Sequence, residues 1–148
     1  KILGLKNTAV LFESCTQNDK PNGLGRYGDI EETTLEKFAK KVKEKLSLDG
    51  IRIVGENNRK IKRVGLCTGS GMEFMTDAVN LNCDVYITSD IKYHESQSAI
   101  ENGIALIDAT HYGSENIIVP VIKKFLNENA PSVEVVESCV NGQVFKTL

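Results

Sequence analysis

Gly103-Ile-Ala-Leu-Ile-Asp-Ala-Thr-His-Tyr-Gly-Ser-Glu115 passes from an unbroken apolar run into a cluster of polar residues. Ile104 to Ile107 is a fully apolar strand, and Asp108-Ala-Thr-His111 carries the chain out of the core toward a helix. That helix has Ile117, Ile118, Val121, Ile122, Phe125 and Leu126 as its expected core face. Pro120 falls inside this stretch, cannot donate a backbone hydrogen bond, and disfavours the helical region for Val119. A first turn from His111 to Glu115 is therefore expected to stand apart from the main helix. Pro131 then breaks the chain before a last predicted strand, Val133 to Glu137.

The same alternation recurs upstream. Leu35, Phe38, Ala39, Val42 and Leu46 share one face of a helix predicted over residues 33–48, with Thr33 and Glu36 as a capping box. Two strands follow, Ile51 to Val54 and Lys62 to Cys67, separated by a turn at Glu56-Asn57-Asn58. A second helix is predicted from Gly71 to Leu81, with Met75, Ala78 and Val79 inward and Ser70 with Glu73 as its cap. Val85 to Thr88 is the next strand, and a short helix from Glu95 to Asn102 leads into Gly103. Strands alternating with helices define an α/β domain with a mixed, partly parallel sheet flanked by helices. The front differs: Asn7 to Glu13 reads as a strand, whereas residues 15–29, rich in Gly, Asn and Pro, read as a long functional or docking loop.

Composition narrows the function classes. Hydrophobic residues make up 41% and charged residues 26% of the 148 residues, as expected for one globular domain. No apolar run approaches the roughly 20 residues of a membrane span, and a soluble, cytoplasmic protein is expected. Cys15, Cys67, Cys83 and Cys139 are scattered, which points to reduced, mostly buried thiols. A net charge of −2 and a pI near 5.8 argue against a nucleic-acid partner.

In a parallel sheet, ligands bind beyond the carboxyl ends of the strands. Three loops should meet there: Cys67-Thr-Gly-Ser-Gly71, Thr88-Ser-Asp90 with Tyr93-His94, and Asp108-Ala-Thr-His111. Gly69, Ser70 and Gly71 could cradle an anion on their backbone N–H groups, or simply make a tight turn. Arg26, within Gly23-Leu-Gly-Arg-Tyr-Gly28, could clamp a phosphate or carboxylate, or brace its own loop. Asp90 and His94 are four residues apart, as are His111 and Glu115, a spacing that puts both members of a pair on one helical face. Imidazole with carboxylate suits zinc, manganese or iron. The chain has only two histidines, whereas a catalytic metal typically takes three protein ligands, so His111 and Glu115 read as part of a larger site.

Val64-Gly-Leu-Cys-Thr-Gly-Ser-Gly71, Cys83-Asp-Val-Tyr-Ile-Thr-Ser-Asp-Ile-Lys-Tyr-His94 and the opening stretch together resemble the Nif-three-like family, often labelled GTP cyclohydrolase I type 2 homologues. The Gly23 to Gly28 run is similar to that family's glycine-arginine loop. The resemblance covers essentially the whole chain and implies the C-terminal portion of a longer protein. The missing part would supply a histidine-rich motif and an aspartate. It further implies a dinuclear site for divalent metal ions, toroidal homohexamers, and metal-dependent hydrolase-type activity on a purine nucleotide or another small molecule. Within it, His111 and Glu115 would be the metal ligands, and Asp90, His94 and Asp108 the catalytic candidates that orient ligands or carry protons. The fragment alone would bind metal weakly and catalyse nothing. A non-catalytic nucleotide-binding or assembly module is the alternative. Ser89 and Thr110 stand where the family commonly has glycine, so those two turns are expected to differ.

Overall fold

A computed structural model of the chain describes residues 2–146. The elements are strands β1 (Lys6–Gln17) and β2 (Lys20–Thr34), helix α1 (Leu35–Lys45), strands β3 (Arg52–Val54) and β4 (Lys60–Leu66), helix α2 (Met75–Asn80), strand β5 (Val85–Thr88), helix α3 (Tyr93–Glu101), strand β6 (Ala105–Asp108), and helices α4 (His111–Glu115) and α5 (Val119–Asn129). They build one six-stranded mixed sheet in the order β1-β2-β4-β5-β6-β3. The centre, β4-β5-β6, is parallel, and the flanking pairs are antiparallel.

The period-2 alternation of the central strands feeds a core on each face of the sheet. Val85, Ile87, Ala105 and Ile107 join Leu35, Phe38, Ala39 and Val42 of α1 on one face. Tyr86 and Leu106 point the other way, into a cluster with Phe74, Met75, Ala78 and Ala99. Leu35 and Val42 are wholly buried, and each such side chain contributes about 1.5–3 kcal/mol relative to exposure. Gly65 makes one contact layer possible: a Cβ there would meet Ala78, Cys83 and Tyr86 side-chain atoms, each at 3.2 Å. Among the described residues, no helix is long and apolar enough to cross a membrane.

Several expectations are corrected. Residues 15–29 are not a loop, because β1 and β2 form a hairpin through them, with register shifts between Lys6 and Ala9 and between Glu13 and Cys15. Glycine and asparagine are tolerated there because bulges absorb residues that a regular ladder disfavours. The cap of α1 is Thr34, whose hydroxyl accepts the Lys37 N–H, rather than Thr33. The helix predicted from Gly71 begins as a 3-10 turn, Met72–Phe74, with no side-chain cap from Ser70. Val133 to Glu137 forms no strand among the described residues. Cys15 and Cys139 are exposed and Cys67 is half-buried, so only Cys83 fits the expectation of burial. The apolar face of α5 is not core: Val121, Ile122 and Phe125 are 56%, 48% and 60% exposed. Periodicity says which side of a helix is apolar, not what covers it.

Candidate metal-ligand pair at the carboxyl edge of the sheet

Because β4, β5 and β6 run parallel, the segments after Leu66, Thr88 and Asp108 emerge along one edge, as the sequence predicts. Pro120 sits in the first turn of α5, so α4 is a separate short helix, joined to α5 by a 3-10 turn at Asn116–Ile118. Helix α4 carries His111 and Glu115 one turn apart, with His111 Nε2 3.4 Å from Glu115 Oε2. Asp90, two residues beyond the end of β5, reaches across to His111 Nδ1 at 2.6 Å. The Asp90 hydrogen bond holds the His111 pKa above its ordinary value against the opposing cost of burial, with a lesser upward contribution from the nearby Glu115 charge. All three side chains are about half exposed.

Gly69 forms the floor of this pair. A Cβ at Gly69 would lie 2.5 Å from Glu115 Oε1 and 3.2 Å from His111 Nε2, and φ is +69°. Only glycine suits both demands. The loop is anchored from below. Thr88 Oγ1 accepts the Gly71 N–H at 2.9 Å and donates to Gly69 O at 3.1 Å. Ser114 Oγ accepts the Gly69 N–H at 3.2 Å and donates to His111 O at 3.0 Å. The buried Tyr86 hydroxyl donates to Gly71 O at 2.7 Å, and burial pushes its pKa well above the ordinary range. The Gly69 and Gly71 N–H groups are thus engaged within the protein, which favours the tight-turn reading of Gly69-Ser70-Gly71 over an anion cradle.

The remaining sequence candidates separate. Asp108 is buried; it pairs with Arg52 and accepts the Thr110 N–H at 3.1 Å, so it shapes the turn into α4. His94 lies on α3, exposed, and no hydrogen bond or ion pair among the described residues joins it to Asp90 or His111. Arg26 donates through Nη1 to Gly23 O and Gly25 O, bracing its own hairpin, and it also lines a cavity shared with Cys67, Thr68 and Ser114. Thr110, at the N-terminus of α4, adopts φ +58° and ψ 144°, a region that suits glycine, and its Oγ1 is buried without a partner. The sequence reading missed Thr88 and Ser114. Thr88 closes β5 with a small hydroxyl two residues before Asp90, which was the available signal. Beside the pair, a cavity of about 300 Å³ is lined by Leu5, Cys67, Thr68, Ala109, Ser114 and Ile117, among others. Burial raises the pKa of the Cys67 thiol.

For a metal ion, the donor chemistry fits in part. An imidazole nitrogen and a carboxylate face each other over a glycine, and the other imidazole nitrogen is held by a carboxylate, the arrangement common behind metal-bound histidine. Among the described residues, no group of three or more His, Cys, Asp or Glu side chains is placed to hold an ion.

Comparison with known proteins gives a consistent result. The family model for Duf34/NIF3 (NGG1p interacting factor 3) matches residues 1–143. The GTP cyclohydrolase 1 type 2 homolog of Staphylococcus aureus strain MRSA252 is 37% identical over 129 residues, covering 84% of this chain and 35% of that protein. The protein of the same name from Streptococcus pneumoniae serotype 4 is 36% identical over 132 residues, covering 86% of this chain and 48% of its own length. The crystal structure of a Bacillus cereus protein related to NIF3 superposes with a TM-score of 0.83 at 29% identity, covering 87% of this chain and 36% of that one. The chain therefore spans about a third to a half of the length of these relatives. With a match over nearly its full length and the fold in agreement, the chain belongs to the Duf34/NIF3 family.

Proposed function

We propose that this chain supplies His111 and Glu115 to the metal site of a metal-dependent hydrolase, and that its share of the site is incomplete. The observation that carries this reading is the 2.6 Å contact between Asp90 and His111 Nδ1. With Nδ1–H donated to Asp90, the neutral imidazole presents the Nε2 lone pair on the side where Glu115 and the bare Gly69 backbone leave room. His111 and Glu115 would hold the ion, or one each of a pair of divalent ions such as zinc, manganese or iron. When bound, such an ion supplies a water of lowered pKa as nucleophile.

The chain's own residues do the rest. Asp90 fixes the tautomer and ring plane of His111. Asp108 and Arg52 hold the turn from which α4 starts. The neighbouring cavity, mainly apolar with Thr68 and Ser114 at its wall, would take the body of a small substrate. The further ligands would come from outside the described residues.

Calorimetric titration of zinc and of manganese into the chain, and into His111→Ala, tests the assignment. Weak binding abolished by the substitution is expected. Tight binding that survives it sinks the reading.

A second reading, an assembly module that joins copies of the chain, is favoured by one observation: the apolar face of α5 is uncovered among the described residues. Sedimentation of the chain and of Phe125→Glu decides it. Association lost in the variant supports it, and a monomer in both removes it.

A further inference from the structure

We propose that Thr88 and Ser114 are positioning residues for the His111–Glu115 pair, acting through the Gly69 backbone; the inference rests on the metal-site reading given above. Both side chains are buried. Thr88 is 1% exposed and Ser114 4% exposed. A buried hydroxyl loses its water and costs stability unless bonded, and at these places valine or alanine would fill similar space without that demand.

Both hydroxyls are fully used, and both are used on the same few atoms. Thr88 closes on Gly69 O and Gly71 N; Ser114 closes on Gly69 N and His111 O. Gly69 is therefore held by both its N–H and its carbonyl. Ser89 Oγ, itself buried, stands 3.4 Å behind Ser114 Oγ and extends the row of hydroxyls.

What the clamp fixes is a distance. The Gly69 backbone lies so close to Glu115 Oε1 and His111 Nε2 that a single added carbon would collide with the carboxylate. A shift of the loop toward α4 would close the room that the bare Gly69 backbone leaves for the carboxylate and the ring. Ser114 also belongs to α4 itself, between the two ligands in sequence, so its bond to Gly69 ties the ligand-bearing helix to the loop. Thr88 performs the same service from β5, two residues before Asp90. The two hydroxyls thus join all three segments that carry the site.

The test uses the 148-residue chain and four variants: Thr88→Val, which keeps shape and loses the hydroxyl; Thr88→Ser, which keeps the hydroxyl; Ser114→Ala; and His111→Ala. Manganese affinity is measured by calorimetry, and the ring-nitrogen signals of His111 are recorded by NMR at one pH without metal. Thr88→Val and Ser114→Ala are expected to lose roughly 10–100-fold in affinity, as supporting residues of metal ligands do, and to shift the His111 signals. Thr88→Ser is expected to stay within a few-fold of the parent. Should Thr88→Val fail to fold, Ser114→Ala decides.

If the parent shows no manganese binding that depends on His111, the metal reading has failed, and the NMR signals alone judge the positioning. His111 signals identical to the parent in both hydroxyl-deleted variants overturn the proposal, whatever their melting temperatures.

Discussion

Replacing Thr110 with glycine should stabilise the chain, although it deletes a side chain at the mouth of the site. Thr110 holds φ +58° with ψ 144°, where Cβ crowds the backbone. A non-glycine residue held there costs about 1–3 kcal/mol. Its Oγ1 is buried and bonded to nothing, which adds about 1–3 kcal/mol. Against this, glycine loses about 0.5–1 kcal/mol more backbone entropy on folding, and the lost methyl forfeits about 0.8 kcal/mol of burial. The balance is a gain of about 2 kcal/mol. For a chain of this size that corresponds to a rise of roughly 4–8 °C in the melting midpoint. Differential scanning calorimetry of Thr110→Gly beside the parent reads it directly, with Thr110→Ala as control, since alanine removes the hydroxyl but keeps the crowded Cβ. A midpoint for Thr110→Gly that is unchanged or lower would refute the claim that strain is stored at the start of α4.

Three other substitutions follow from the same geometry. Gly69→Ala forces a side chain into φ +69° and pushes the Glu115 carboxylate away; a loss of about 1–2 kcal/mol is expected from the backbone alone, and unchanged stability with unchanged His111 NMR signals would contradict it. Asp90→Asn, which tolerates the positive φ of that position, should bring the His111 pKa down toward its ordinary value in an NMR titration. The sign for stability is fixed by the upward shift: the Asp90–His111 contact stabilises fully below the unfolded pKa of about 6.5 and fades as pH rises through the folded value. The variant should therefore lose stability on the acid side only. Arg52→Met leaves the buried Asp108 with the Thr110 N–H but no cation; because the guanidinium is largely in water, a loss of only about 1 kcal/mol in urea unfolding is expected, and a variant more stable than the parent would show that the pair is dispensable.

Much of the architecture was legible because apolar runs and helical periodicity report burial directly. Ile104–Ile107 and Val85–Thr88 could hardly be anything but interior strands, and from their parallel pairing the shared edge follows. Pro120 announced the break between α4 and α5 through its missing N–H. The hairpin at residues 15–29 was not legible, since it is held by pairing between β1 and β2, and with β4 from Arg26 onward, rather than by its own glycine-rich composition. Nor was the partner choice of Asp90. Spacing alone set it with His94 on one face, whereas the fold turns it to His111, 21 residues away in sequence. Thr88 and Ser114 escaped for a similar reason. A small hydroxyl on an interior element says that some polar partner exists, and only the tertiary arrangement says which.

The two ends of the sheet bear on how the protein behaves when concentrated. One end is β3, only three residues long, followed at once by Gly55 with φ +121°; so short a border offers almost no template for another chain. The other is β1, twelve residues long and mostly exposed, a length that would invite edge-on growth into fibrils. Its two register shifts locally break the ladder and increase its twist, and Lys6 and Glu13 place opposite charges along it. Straightening that border, by deleting one residue at either irregularity, should turn a well-behaved solution into one that gels or deposits fibres that bind thioflavin.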